Sequence, residues 1–143
     1  MNAEDDEAAS DARHEARRWL SIVEDDLAVA HAAANLSPSR LGAAAYHPQQ
    51  AAEKLVKALL VLRATPFRRT HDLDELISSV DVDDARALPD LDELRPLSTW
   101  NIAFRYPTLE DAEEPPSLAE IERVGALIRK LSDQAAKLVA AVP

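Results

Sequence analysis

Cysteine is absent from the 143 residues, which excludes disulfides and thiolate metal sites and points away from an oxidising compartment. Glycine occurs twice, aromatic residues make up 4% of the chain, and no alternating apolar and polar run with hairpin punctuation is found. That pattern argues against a sheet. No apolar run approaches the ~20 residues needed to cross a bilayer. The acidic start MNAEDDEAASDA has neither the basic nor the apolar stretch of a secretory signal, so a cytoplasmic protein is expected. Gly-rich phosphate loops, Ser-His-Asp arrangements and zinc-ligand spacings are missing as well. No metal and no cofactor is expected.

What is present is a 47% hydrophobic chain, enough for one core. Apolar residues recur at helical spacing in every long segment: Leu20, Val23, Leu27, Ala30 and Ala34 early, and Ile121, Val124, Ile128, Leu131, Ala135 and Leu138 late. The expected fold is all-α, a four-helix up-and-down bundle with a short additional helix. Residues 1–11 are expected to be a disordered acidic N-terminus, and residues 12–143 a single helical domain. Ser37-Pro38 reads as a cap followed by proline in the first turn of the second helix. Pro48 must then bend that helix or divide it. Ser117 to Glu120 is a capping box that starts the last helix. Asp72 with Glu75 is a weaker one for a short helix to about Val80, and Leu88 to Phe104 reads as helix with Pro96 kinking or dividing it.

Charge is segregated along the chain. Between Arg40 and His71 six basic residues (Arg40, Lys54, Lys57, Arg63, Arg68 and Arg69) stand against Glu53 alone, a local balance of +5 against −10 for the whole. The second helix crosses this zone with Ala51, Ala52, Leu55, Val56, Leu59 and Leu62 on one side. Tyr46, His47, Gln50, Glu53, Lys54 and Lys57 fall on the other. Gln50, Lys54 and Lys57 lie one turn apart, where their ends could converge on a ligand, and Glu53 is spaced to pair with Lys57. Spacing alone favours a solvated face with an intrahelical ion pair. Against that stands the continuation into Arg68-Arg69-Thr70-His71, where a helix start would add free N–H groups beside the cations.

Three separated motifs carry a likeness: Gln49 to Leu60 (QQAAEKLVKALL), Thr70-His71-Asp72-Leu73, and Phe104-Arg105-Tyr106-Pro107. With the entry-helix residues Ala16, Trp19, Leu20, Glu24, Asp25, Asp26 and Leu27, this order resembles the HEPN domain over about residues 13–140. The resemblance implies a compact bundle that forms a symmetric homodimer. It also implies a role beside a minimal nucleotidyltransferase in toxin–antitoxin or nucleotide-handling pairs, and nucleotide binding in some members. A large branch of the family consists of metal-independent ribonucleases marked by a late Arg followed after four to six residues by His. Arg105 stands at that late position here, yet no His follows His71. The pair Arg40 and His47 has the spacing but lies in the wrong helix.

The candidate phosphate-binding residues are therefore Gln50, Lys54, Lys57, Arg68, Arg69, His71, Arg105 and Tyr106, with His71 and Arg105 as candidate catalytic groups. The bland alternatives are a helix-start role for His71, a helix end at Arg105-Tyr106-Pro107, a solvated acidic face at Glu24, Asp25 and Asp26, and core or interface packing for Trp19 and Trp100. Three functions are carried forward. The first is a binding module for nucleotide or RNA phosphate that partners a nucleotidyltransferase. The others are an endoribonuclease using Arg105 and His71, and a structural dimer whose basic face docks an acidic protein.

Overall fold

The computed structural model describes residues 2–100 and 115–143. Three long helices form its frame: α1 (Ala3–Ala34), α2 (Leu41–Leu62) and α5 (Leu118–Ala141). Between α2 and α5 lie the short helices α3 (Leu73–Ser78) and α4 (Val82–Ala87), followed by a 3₁₀ segment, Pro89–Trp100. The described residues are all-α, as expected. The stretch expected as one helix from Leu88 is instead this 3₁₀ segment with Pro96 inside it, and the remainder of that stretch lies outside the described residues.

Each boundary has a local cause. α1 begins at Ala3 because Asn2 and Asp5 form a reciprocal capping box. The acidic segment expected to be disordered thus continues the helix, with Glu4, Asp5 and Asp6 at its positive end. Ser37-Pro38 does not cap α2. Its peptide bond is cis, α2 starts at Leu41 without a side-chain cap, and Ser39 donates its hydroxyl to the Ala34 carbonyl at 2.8 Å. Pro48 neither stops nor divides α2, which is assigned as one helix through it. Ser117 accepts the Glu120 N–H at 3.2 Å and Asp72 accepts those of Asp74 and Glu75, as their sequences promise.

α2 is the central element. From Ala44 to Leu62 every residue is buried or partly buried, and the polar side is partly rather than fully exposed. α1 runs antiparallel to it, since the Lys57 ammonium stands over the Trp19 ring while His47 meets Asp26. The Arg13 guanidinium donates to the Val142 carbonyl at 2.8 Å, tying the early part of α1 to the end of α5. Leu20, Val23, Leu27, Leu55, Leu59, Ile128 and Leu131 meet in the main core, against which Trp19 and Trp100 pack partly buried. A smaller alanine-rich cluster of Ala33, Ala34, Ala44, Ala45 and Ile121 closes the other end. No helix among the described residues is long and apolar enough to cross a membrane.

α2 ends in a tight reversal. Thr65 N–H bonds to the Leu60 carbonyl and Ala64 N–H to that of Val61, with Ala64 at φ 53°. This is the Schellman arrangement, and its left-handed position usually holds glycine. The reversal sends residues 65–72 back along α2, which brings His71 to Glu53.

Candidate functional site

Burial decides what the polar residues of α2 can do. Glu53 is 1% exposed although its neighbours in sequence suggested a solvated position. A carboxylate held there requires partners, and two are supplied. The Lys57 ammonium lies 2.6 Å from Oε1, and His71 Nδ1 lies 3.1 Å from both oxygens. Burial pushes the Glu53 carboxyl up, but the hydrogen bonds from Lys57 and His71, with their charges, outweigh it and hold the group below its ordinary range. Because an ionised carboxylate only accepts, His71 carries its Nδ1 proton toward Glu53 and leaves Nε2 for another partner.

Lys57 is itself recessed, with 12% of its side chain exposed. Its Nζ lies 5.9 Å from the ring centroids of both Trp19 and Phe67, so aromatic faces from α1 and from the connection after α2 hold the ammonium in place. A cavity of about 280 Å³ opens above it, lined by Lys57, Arg69, Thr70 and His71. Arg69 is exposed and has no hydrogen-bond or ion-pair partner among the described residues. Thr70 Oγ1 accepts the Asp72 N–H at 3.0 Å, which leaves its hydroxyl proton to donate.

The remaining candidates separate from this cavity. Lys54 turns to a second cluster, with Nζ 3.2 Å from Gln50 Oε1 and 4.0 Å from Asp26 Oδ2. In the same cluster His47 Nδ1 lies 3.1 Å from Asp26 Oδ1, and Gln50 Nε2 donates to Gln49 at 2.6 Å. Lys54 and Lys57 therefore sit on different carboxylates rather than converging. Arg68 forms a bidentate pair with Glu75 at 2.5 and 2.7 Å on the surface, raising the guanidinium pKa and lowering that of Glu75. The expected free N–H groups at the start of α3 are occupied as well. Asp72 caps two of them, and Ser98 Oγ accepts the Leu73 N–H at 2.8 Å. Arg105 and Tyr106 lie outside the described residues.

Several participants were not singled out for these roles from the sequence. Thr70 completes the cavity, Asp26 leaves the acidic face of α1 for His47 and Lys54, and Gln49 is fully buried with Nε2 lacking a partner among the described residues. Gln49 lies one turn from both Ala45 and Glu53, and the helical wheel, which set Glu53 on the polar side, did not mark it as buried. Nothing local marks Asp26, whose role depends on which helix packs beside it.

The described residues thus define an all-α bundle whose central helix carries a buried carboxylate bridged to an ammonium and an imidazole under an open cavity. The model of the HEPN domain matches residues 16–137, and the chain belongs to that family. Neither a curated protein nor a solved structure matches the chain.

Proposed function

We propose that this HEPN protein binds the phosphate of a nucleotide or of RNA in the cavity above Lys57. In this reading it acts as a cytoplasmic homodimer beside a minimal nucleotidyltransferase, in a toxin–antitoxin-like or nucleotide-handling pair. One observation carries the binding: Lys57 and Arg69 line a single cavity with the Thr70 hydroxyl and the His71 imidazole, with Glu53 beneath as the carboxylate partner of Lys57 among the described residues. A recessed ammonium with donors to spare, beside a guanidinium with no partner among the described residues, suits a phosphoryl oxygen cluster. The partner and the dimer are supported only by what membership of the family suggests. Titration calorimetry with a nucleoside monophosphate tests the binding, and Arg69→Ala should weaken it about tenfold, the worth of one charge-assisted hydrogen bond. Absence of heat at millimolar nucleotide refutes it.

A second reading, a metal-independent endoribonuclease using His71 and Arg105, is favoured by one feature. Glu53 holds His71 Nδ1, so the neutral ring directs a basic Nε2 outward, as a general base requires. The chain lacks the late Arg-x4–6-His motif, so this route would not be the usual one. RNA cleavage with metal chelated is the assay. Activity that survives both His71→Ala and Arg105→Ala removes this reading.

A further inference from the structure

We propose that the Lys57 cavity selects a terminal phosphate, the monoester end of a nucleotide or of an RNA chain, over an internal phosphodiester. This rests on the phosphate reading above and adds the ligand class.

The donors stand at two depths. At the floor is the Lys57 ammonium, fixed by Glu53 at 2.6 Å and by two ring faces, with 12% of its side chain exposed. At the rim are Arg69, exposed, and His71, with 67% of its side chain exposed. An oxygen that reaches the floor must enter end-on. An internal phosphodiester carries a sugar on each side, so lowering one of its oxygens to Lys57 drives both sugars against the rim. A terminal phosphate carries one substituent, which leaves through the mouth. The cavity measures about 280 Å³.

Count and charge agree with this. A terminal phosphate presents three acceptor oxygens and a charge of about −1.5 to −2, whereas a diester presents two free oxygens and one charge. Facing it are the two N–H groups that Lys57 does not give to Glu53, the guanidinium fork of Arg69 and the Thr70 hydroxyl, while His71 Nε2 donates only when both ring nitrogens carry protons. With Glu53 included, these groups carry one net positive charge when the imidazole is neutral and two when it is protonated.

Titration calorimetry on the full chain tests the selection with matched probes. These are a nucleoside 5′-monophosphate against its 3′,5′-cyclic diester, and one short single-stranded oligoribonucleotide with a 5′-phosphate against the same strand with a 5′-hydroxyl. The expected result is at least tenfold tighter binding of the monoester in one pair or both. A preference confined to the mononucleotides identifies free nucleotide as the source, and one confined to the strands identifies an RNA end. Arg69→Ala, a change at an exposed side chain, should reduce the preference. Equal affinity within both pairs overturns the selection and leaves phosphate binding intact, whereas no binding of any probe overturns both.

Discussion

Replacing Lys57 by methionine separates two accounts of α2 by the size of its effect. Were Glu53 and Lys57 an ordinary solvated pair one turn apart, losing it would cost about 0.3–0.5 kcal/mol. The Glu53 side chain is instead 2% exposed. Leaving such a carboxylate without its partner costs about 3–5 kcal/mol. His71 remains at 3.1 Å and can share its proton, which returns part of that, so about 2–3 kcal/mol of destabilisation is expected. Methionine keeps an unbranched apolar stem between Trp19 and Phe67, so packing contributes little to the loss. At roughly 4 °C per kcal/mol for a domain of this size, the melting temperature should fall by about 10 °C. The double variant Glu53→Gln with Lys57→Met removes the stranded charge and should recover more than half of the loss. Thermal unfolding followed by circular dichroism is the assay. A fall of only about 1–2 °C in the single variant, or a double variant no more stable than the single, refutes the buried-pair account.

Three further outcomes follow from the same geometry. Because the Glu53 carboxyl is held below its ordinary value of 4.5, its contribution to stability is complete above that value and is lost as pH falls through the folded-state value. Acid unfolding should accordingly be less steep below about pH 4.5 in Glu53→Gln than in the parent. Ala64 sits at φ 53° in the reversal after α2, and Ala64→Gly should stabilise the fold by about 0.5–1 kcal/mol in urea titration, left-handed strain relieved exceeding the chain entropy added. Arg63→Ala removes the bidentate partner, at 2.8 and 2.7 Å, of Asp84, which is 1% exposed, and should cost about 2–4 kcal/mol in the same assay.

The long helices were legible because their signals are local and repeated. The stripes through Leu20, Val23 and Leu27 and through Ile121, Val124 and Ile128 are the buried ones. Ser117 and Asp72 cap where their side chains allow. The region between α2 and α5 was less legible because its short elements follow from tertiary packing: Leu91, Leu94 and Leu97, three apart, read as a helix, and the spacing does not tell that their backbone is 3₁₀. At the site, spacing correctly paired Glu53 with Lys57, yet a helical wheel has two sides and α2 is enclosed on more than two. Whether Lys54 faces Asp26 or shares an anion with Lys57 depends on α1, over twenty residues away, and could not be read from α2 alone. Nor does the basic run Arg68-Arg69 tell which guanidinium is taken by Glu75 and which has no partner among the described residues.

The most direct test of phosphate binding above Lys57 is nuclear magnetic resonance of the nitrogen-15-labelled chain, following the His71 ring and the Arg69 guanidinium during titration with a nucleoside 5′-monophosphate at fixed pH. The account predicts that both signals shift saturably with one dissociation constant, the same as the calorimetric one. Saturable binding reported by other residues, with the His71 and Arg69 signals unmoved, would contradict it.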